Sequence, residues 1–567
     1  MEANKRNIND IFNKNRILEI PFFQRSYVWD IPQWERFLTD MEFVSSDNKP
    51  YFLGSIILKQ QLTSAQQSAG DVRTLIDGQQ RLTTLCIFLK VLSLKLSTPY
   101  YDTIYRLGMD QEIALLHNHT DVDSFNRILN LSALDDVGSD NKILKAYTYF
   151  KDNINDLLIS PQILLANLMF VLIELGPDDD EQKIFDTINS LGVTLTTAEL
   201  LKNYFFHRDI KLYNDNWKDV FETDTAREYW DIQISAGRVT RSLLDLFFYS
   251  FLQIKIQEPA FDLNSEDKKK YGKVEGLFDS YKEFIKKCNI NRLALIAEIN
   301  EYAQLFRDNF DVKIVEKELP ADFGIERINA LIFGLENTTL IPYVLFLLKN
   351  VKDQNKLKAV FNYLESYVIR RMICHENNRN YNQLFGERFI TQRLLDVVSI
   401  RNYIDTQDDK INFMPLDVSV TDGFHQSKLT NKQAAGILYL LETGIRQRQK
   451  HSTAMLGMSS YSLEHILPKK WRNHWPVFKT EAENANRDQK LLTLGNLTII
   501  TAALNSSISD AAWDIKKNGD GKNKGFSVYA ADLATFSPYL SNQFWDEAAI
   551  ETRAKDLANL ALTEWQA

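Results

Sequence analysis

An acid and a histidine stand side by side near the C-terminal end of the chain. Glu464 and His465 lie in YSLEHILPKKW (461–471), and Lys469 and Lys470 follow them. A histidine can take a proton from water, an adjacent acid can hold a divalent ion, and lysines can contact phosphate. This combination suits metal-assisted hydrolysis of a phosphodiester. The alternative is a strand that simply ends in polar residues.

Two asparagines follow at spacings that extend the pattern. Asn496 lies 31 residues after His465, and Asn505 lies nine residues after Asn496. In LLTLGNLTIITAALNSSISDAAWDIKK, Gly495 and Asn496 are expected to open a second strand, and a helix is expected to be capped at Ser509. The pattern therefore predicts a two-stranded hairpin packed on a helix.

The order of these residues resembles that of HNH (ββα-metal) endonucleases of the His-Asn-Asn variant. More specifically, EHILP…LGNLTII…LN…W..KK is similar to the C-terminal domain of GmrSD-type modification-dependent restriction enzymes, over roughly the last 130 residues. The resemblance implies that His465 is the general base and that Asn496 positions it. It also implies that Glu464 and Asn505 bind Mg²⁺ or Mn²⁺. Paired cysteines are lacking, so no structural zinc is expected.

Two alternatives for this region stay open. His465 could be a core histidine with satisfied hydrogen bonds, and the asparagines could be turn residues. His474, in WRNHWP, is a second candidate base, although that stretch is typical of a surface loop. Three elements in the expected order favour the nuclease interpretation with His465 as the base.

A second set of polar residues lies in VRTLI-DGQQR-LTTL (72–85). An acid, a glycine and an arginine occupy a predicted strand-to-helix turn, where free backbone N–H groups and the helix dipole attract anions. Arg81 could clamp phosphate oxygens, and Asp77 could hold Mg²⁺ or a ribose hydroxyl. No GxxxxGK[ST] sequence is present, which excludes a P-loop. A plain turn with a surface arginine is the alternative.

Two further segments accompany this turn, IPFFQRSYVWDIPQWERFLTDM (20–41) and IFDTINSLGVTLTTAELLKNYFF (184–206). Together the three resemble the GmrSD-type N-terminal domain over about residues 10–210. That domain is a ParB- and sulfiredoxin-like fold that binds and hydrolyses nucleoside triphosphates. The resemblance implies a site for GTP or ATP built from Asp77, Gly78, Gln79, Gln80, Arg81, Gln24 and Arg25.

Aromatic residues surround Gln24 and Arg25. Trp34 and Phe37 have helical spacing and are predicted to be core residues. Tyr27 and Trp29, beside Arg25, are candidates for stacking on a flipped or modified nucleotide, with core packing as the equal alternative. Arg25, Tyr27 and Trp29, together with Lys469 and Lys470, are therefore the predicted contacts to DNA.

Two pairs of polar residues each allow two interpretations. Lys202 and Asn203 could contact phosphate or could lie on an exposed helix face. Arg370 and Arg371 are predicted to lie on a solvated helix face, with contact to DNA or relay of the nucleotide state to the nuclease as the alternatives.

Hydrophobic periodicity predicts the elements that carry these residues. Strands are predicted at 52–58, 72–76 and 168–175, and leucines at helical spacing follow Arg81. The acids of GPDDDEQ are expected to begin a helix that ends near 189–192, and Thr196 with Glu199 predicts a capping box. Residues 211–430 are mostly helical in pattern. The next helix, in NKQAAGILYLLETGIRQRQ, has an apolar face formed by Ala434, Ile437, Leu438, Leu441 and Ile445.

Length and composition exclude several classes of protein. A chain of 567 residues predicts two to four domains. Its longest apolar stretch, 163–175, is too short for a membrane span, and the N-terminus has no signal-peptide core, so a cytoplasmic protein is expected. The net charge of −9 argues against a general nucleic-acid coat. Residues 446–490, however, carry nine Lys+Arg against four Asp+Glu, which suits phosphate contact.

These observations lead to one expected organisation. We expect an α+β, multidomain, predominantly helical protein with domains at 1–210, 211–430 and 431–567. The two resemblances imply an NTP-regulated, modification-dependent restriction endonuclease in which the N-terminal domain gates the nuclease. Relatives of this architecture act on DNA marked by glucosylated hydroxymethylcytosine or phosphorothioate. Two alternative functions stay open: a non-catalytic sensing subunit of a larger defence complex, and an HNH nuclease acting on RNA. The chain could also form a homo-oligomer or bind partners of a defence system.

Overall fold

The computed structural model describes most of the chain from residue 2 to residue 567. Outside the description are residues 13–15, 22–23, 25, 62–70, 108–111, 119–120, 177–196, 207–208, 237–238, 274–275, 321, 407–410, 427–428, 450–453 and 531, and the side chains of residues 2, 203, 236, 447–449 and 529. The chain divides into two compact units, Met1–Asp215 and Asn216–Ala567.

The strands of the first unit are β1 (Glu2–Asn7), β2 (Arg16–Glu19), β3 (Tyr51–Gln60), β4 (Asp71–Asp77), β5 (Arg106–Leu107), β6 (Glu112–Ile113), β7 (Leu115–Leu116) and β8 (Leu168–Leu175). Six of them form a mixed sheet in the order β1-β8-β3-β4-β2-β7. Strand β3 pairs in parallel with β8 and antiparallel with β4, and β5 and β6 form a separate antiparallel pair. The three predicted strands are confirmed as β3, β4 and β8.

Helices cover this sheet and supply most of its core. The helix Gln79–Lys95 is buried along nearly its whole length. Of the five leucines predicted at helical spacing, Leu96 caps the helix and is partly exposed, and the other four are buried, namely Leu82, Leu85, Leu89 and Leu92. The predicted helix after GPDDDEQ and the cap at Thr196 lie outside the described residues. The helices of this unit are Ile8–Phe12, Ile31–Asp47, Gln79–Lys95, Tyr100–Tyr105, Val122–Leu129, Lys142–Asn153, Pro161–Asn167, Thr197–Phe206 and Ile210–Tyr213.

Helices and two short hairpins make up the second unit. The hairpins are β9 (Gln233–Ala236) with β10 (Val239–Ser242) and β11 (Tyr461–His465) with β12 (Leu497–Thr501). π-Helical segments occur at Asn214–Glu222, Ala330–Gly334 and Leu384–Arg388. The α-helices are Asp224–Trp230, Leu243–Lys255, Ser265–Tyr271, Leu277–Lys287, Arg292–Asn309, Ile325–Asn329, Ile341–Asn350, Gln354–Ile373, Tyr381–Gln383, Phe389–Thr391, Val397–Thr406, Asp417–Gln426, Asn431–Gln449, Glu481–Lys490, Ala502–Ile508, Trp513–Asn518, Phe526–Tyr529 and Glu547–Glu564.

The helix Asn431–Gln449 has the apolar face that its sequence predicts, and residues on its other sides are buried as well. All five predicted residues are buried, but so are Tyr439, Leu440 and Glu442 from its other sides. Both Glu442 carboxylate oxygens accept backbone N–H groups, from Ala534 at 2.7 Å and from Thr535 at 2.8 Å. A buried acid is tolerated here because its lone pairs are satisfied.

The prediction of a solvated face at Arg370 and Arg371 is wrong. Both side chains are only 1% exposed. Arg370 donates to the carbonyl of Trp565 at 2.9 Å and to that of Pro415 at 2.7 Å. Arg371 donates to Phe413 and lies over aromatic rings, including that of Tyr367. These arginines satisfy carbonyl groups where separate segments converge, which the local pattern cannot reveal.

A buried charge network joins distant segments of the second unit. Arg327 and Glu365 are fully buried and form two hydrogen bonds, at 2.8 and 2.5 Å. The Arg327 guanidinium also donates to Thr443 at 2.9 Å, and Glu365 accepts from the indole of Trp565 at 2.8 Å. The middle helices and the C-terminal end of the chain therefore share one core.

The architecture is α+β and mostly helical, as expected from the sequence. In the part of the chain that the structure describes, no helix is both long and apolar enough to cross a bilayer.

Candidate functional site

The hairpin of β11 and β12 brings the C-terminal candidates to one place. The strands are antiparallel, with Glu464 opposite Thr498 and His465 opposite Leu497. The helix Ala502–Ile508, which carries Asn505, follows directly after β12 and packs on both strands. The predicted acid and histidine thus lie at the end of one strand, and the two asparagines lie before and after the other.

Asn496 is fully buried and uses its whole amide. Its oxygen accepts from the N–H of Leu467 at 2.8 Å and from the indole of Trp545 at 3.0 Å. Its nitrogen donates to the carbonyls of Leu467 at 2.9 Å and Leu491 at 3.0 Å. Asn496 therefore holds the backbone that follows His465, so any positioning of the imidazole acts through the main chain.

Asn505 fastens its helix to the first strand. Its amide nitrogen donates to the carbonyl of Leu463 and to the hydroxyl of Ser462, both at 3.0 Å. The helix does not begin at Ser509, as the sequence suggested, but ends there. Ser509 has a φ of +36°, and its N–H donates to the carbonyl of Asn505 at 3.1 Å, which closes the last turn.

A lysine that the sequence reasoning did not assign lies inside the hairpin. The fully buried ammonium of Lys516 pairs with the Glu464 carboxylate and donates to the carbonyl of His465 at 2.8 Å. Burial raises the pKa of Glu464, and the nearby Lys516 opposes that rise. The only sequence signal was the W..KK stretch, eleven residues after Asn505.

His465 is half-buried at the end of β11. Burial lowers the pKa of its imidazole to about 4, and the positive charges of Lys469 and Lys516 act in the same direction. The imidazole is therefore neutral near pH 7, which is the form that can accept a proton. Lys469 and Lys470 are exposed beyond it. The site thus combines a neutral base with accessible cations.

The residues that the resemblance assigns to a metal do not form an open metal site in this arrangement. The Glu464 carboxylate is engaged by the Lys516 ammonium. The Asn505 amide nitrogen is bound to β11, whereas a metal would take the amide oxygen. Across the described ranges, no cluster of three His, Cys, Asp or Glu side chains is arranged around a common point. A divalent ion would need the carboxylate that Lys516 holds.

His474, the alternative base, lies on the surface. Its side chain is 54% exposed, and its Nε2 atom is 4.0 Å from the Asp510 carboxylate. The predicted surface loop is confirmed, since His474 follows the 3₁₀ turn Trp471–Asn473.

The DGQQR turn forms a second candidate site, at the end of β4. Gly78 precedes the helix Gln79–Lys95 with a φ of +103°, which favours glycine. Arg81 pairs with Asp77 at 3.0 Å, and Ser55 donates to the same carboxylate at 3.3 Å. The guanidinium lies across Gly54, where a Cβ would come within 2.0 Å of Arg81 Nη1. A partly exposed acid and arginine are therefore held at a helix N-terminus.

The glutamines around this turn bind backbone groups. Gln80 accepts from the N–H of Val28 at 2.9 Å and donates to the carbonyl of Ser26 at 3.3 Å. Gln24 donates to the carbonyls of Leu75 and Ile76 at 2.6 and 3.0 Å. Gln79 is buried. These contacts bring the 24–28 segment to the turn, while Arg25 lies outside the described residues.

The four described aromatic residues of the 20–41 segment divide between core and surface. Trp34 and Phe37 are core residues, as predicted. Tyr27 is also buried, and its hydroxyl bonds to Thr84 at 2.6 Å and accepts from Trp34 at 2.8 Å. Trp29 is partly exposed at the edge of that core. The structure therefore favours core packing for Tyr27 and leaves Trp29 accessible to a ligand.

Lys202 does not lie on an exposed helix face. Its side chain is buried, with the ammonium 5.9 Å from the centre of the Tyr213 ring. The side chain of Asn203 lies outside the described residues.

Comparison with known families matches both ends of the chain. The family described as "GmrSD restriction endonuclease, N-terminal domain" matches residues 8–206, and "GmrSD restriction endonucleases, C-terminal domain" matches residues 414–560. No curated protein matches the chain. The first region contains the DGQQR turn and the second contains the hairpin, so both resemblances identified from the motifs are confirmed.

Proposed function

Because this chain belongs to the GmrSD restriction endonuclease family, we propose that it cleaves DNA at the β11–β12 hairpin with His465 as the general base. The observation that carries the proposal is the position of the His465 imidazole at the end of β11, on a backbone that Asn496 fixes. Lys469 and Lys470, exposed beside it, supply contacts for the DNA backbone.

In this proposal the imidazole of His465 removes a proton from water as the water attacks phosphorus. The proton moves to the imidazole, and the leaving oxygen is protonated from solvent as its bond to phosphorus breaks. Asn496 keeps the base in place through the main chain of Leu467. No step is assigned to a divalent ion, because Lys516 holds the Glu464 carboxylate. A requirement for Mg²⁺ or Mn²⁺ stays a prediction.

One gel assay tests the proposal. The purified chain is incubated with plasmid DNA or with RNA, with Mg²⁺, Mn²⁺ or chelator, and with each nucleoside triphosphate. Nicked or linear plasmid supports the DNA endonuclease. Cleavage of RNA alone would support an RNA nuclease, and no cleavage under any condition would support a non-catalytic sensor.

We further propose that the first unit binds and hydrolyses a nucleoside triphosphate at the DGQQR turn. Arg81 and Asp77 face each other at a helix N-terminus, where partial positive charge and a guanidinium together suit phosphate oxygens. In that role the Arg81 guanidinium breaks its ion pair with Asp77 and binds the phosphate chain instead. GTP and ATP are both open, because a phosphate site does not distinguish the base.

Replacing Arg81 with alanine should lower triphosphate hydrolysis about 10²–10³-fold, because a preorganised cation opposite the transferring phosphate is lost. Asp77→Ala should have a smaller effect. Arg36→Ala, an exposed arginine on the helix Ile31–Asp47, is the matched control and should hydrolyse at the normal rate. Phosphate release measures the rate, and calorimetry measures binding. Unchanged hydrolysis by Arg81→Ala would make the turn structural.

We also propose that Trp29 helps to sense the DNA mark, since it is a partly exposed aromatic residue whose neighbour Val28 contacts the nucleotide turn. Trp29→Ala should remove the difference in cleavage between unmodified, phosphorothioated and glucosylated plasmids, because base–aromatic stacking is lost. Trp29→Phe should retain it. If Trp29→Ala discriminates as well as the unchanged chain, sensing does not involve this residue.

A further inference from the structure

The ammonium of Lys516 occupies the interior of the candidate nuclease site. It is fully buried, and it lies between the Glu464 carboxylate and the carbonyl of His465. Lys516 thus presents a positive charge to the one acid among the proposed metal ligands. The ammonium therefore occupies the carboxylate that a divalent ion would need.

Packing between aromatic side chains positions this lysine in the hairpin. The helix Trp513–Asn518 is anchored by Trp513, whose ring stacks on that of Trp545 with centroids 5.4 Å apart. Trp545 in turn donates to the Asn496 amide oxygen at 3.0 Å. The same asparagine therefore links the backbone after His465 to the helix that carries Lys516.

We propose that Lys516 is an internal competitor for Glu464, so that a divalent ion gains the carboxylate only by displacing the ammonium. Two cations cannot share one buried carboxylate without strong repulsion at short range. The lysine therefore keeps the affinity of the site for metal low. It also keeps the buried carboxylate paired when no metal is bound, which prevents the cost of an isolated buried charge. The proposal rests on the proposed function only in treating the hairpin as the nuclease site.

Removing the charge should therefore open Glu464 to metal. Lys516→Gln should bind Mn²⁺ at least about tenfold more tightly than the unchanged chain, since a unit charge about 4 Å from the ion is worth more than that in a protein interior. The gain should disappear when Glu464→Gln is added. Lys516→Arg, which keeps the charge, should show no gain.

Lys517 provides a matched control. It lies next in the same helix but donates to the carbonyl of Asn542 at 3.0 Å, away from Glu464. Lys517→Gln should bind Mn²⁺ as the unchanged chain does. Binding is measured on the full chain by the electron paramagnetic resonance signal of free Mn²⁺ and by calorimetry, without DNA.

Unchanged or weaker Mn²⁺ binding in Lys516→Gln would overturn the proposal, as would a gain that survives Glu464→Gln. If Lys516→Gln folds poorly, thermal unfolding of Lys516→Gln and Lys516→Met replaces direct titration. Competition then requires that Mn²⁺ raises the Tm of these variants more than that of the unchanged chain. Variants that Mn²⁺ fails to stabilise contradict it. Because the binding test uses no DNA, its result is independent of cleavage. Tighter Mn²⁺ binding by Lys516→Gln, together with no cleavage by the unchanged chain in the separate gel assay, would leave the competition intact and reject the nuclease proposal.

Discussion

Replacing His465 with alanine should lower DNA cleavage about 10²–10⁴-fold, which is the usual effect of losing a general base. The backbone at this position is held by groups outside the imidazole, namely the β11–β12 pairing and the Asn496 amide. The variant should therefore fold normally and hydrolyse nucleoside triphosphate at the normal rate. Cleavage is measured as the rate of nicking of supercoiled plasmid, and folding by circular dichroism and thermal unfolding.

His474→Ala is the matched control for this experiment. His474 belongs to the same unit but is exposed, with its Nε2 atom 4.0 Å from the Asp510 carboxylate. Its loss should leave cleavage unchanged. Normal cleavage by His465→Ala would reject His465 as the base, and a loss of cleavage in His474→Ala alone would transfer that role to the surface loop.

Replacing Arg327 with methionine should destabilise the second unit by about 3–5 kcal/mol, the typical cost of leaving a buried charge without its partner. Glu365 would lose both of its bonds to the guanidinium, at 2.8 and 2.5 Å, in a fully buried position. Thr443 would lose its bond to the same group, at 2.9 Å. Urea unfolding gives the free-energy difference, and hydrogen exchange along Gln354–Ile373 locates it.

A double variant separates the charge from the packing. Glu365→Gln combined with Arg327→Met removes both charges, while the glutamine oxygen can still accept from the Trp565 indole. It should recover much of the lost stability. Lys358→Ala breaks an exposed pair with Asp322 and should leave the unfolding curve nearly unchanged. A small effect of Arg327→Met would mean that the network is not essential to the shared core.

The C-terminal region has contacts with the middle helices inside the second unit. Arg370 donates to the carbonyl of Trp565, and Arg327 approaches Glu564 at 3.5 Å. These contacts join the middle helices to the last helix of the chain. A fragment of residues 430–567 would lack those partners, so experiments on cleavage and metal binding should use the full chain.

By itself the sequence determined the local elements and the order of the site residues. Alternating and continuous apolar runs predicted β3, β4 and β8, because burial on a sheet imposes that pattern over a few consecutive residues. The Glu-His dipeptide and the two asparagines predicted the hairpin region, since strand ends and turns favour polar residues at particular spacings. The family resemblance rests on the same short-range order, and the family matches confirm it.

Only the tertiary structure decided which charged groups are buried and what each of them contacts. Arg370, Arg371 and Lys516 resemble surface residues in sequence, yet each lies in the interior and satisfies oxygen atoms from distant segments. Ser509 ends a helix rather than beginning one because its backbone turns to positive φ. Periodicity reports the neighbours of a residue along the chain. The cost of burying a charge depends instead on partners tens or hundreds of residues away, which only the folded chain brings into contact.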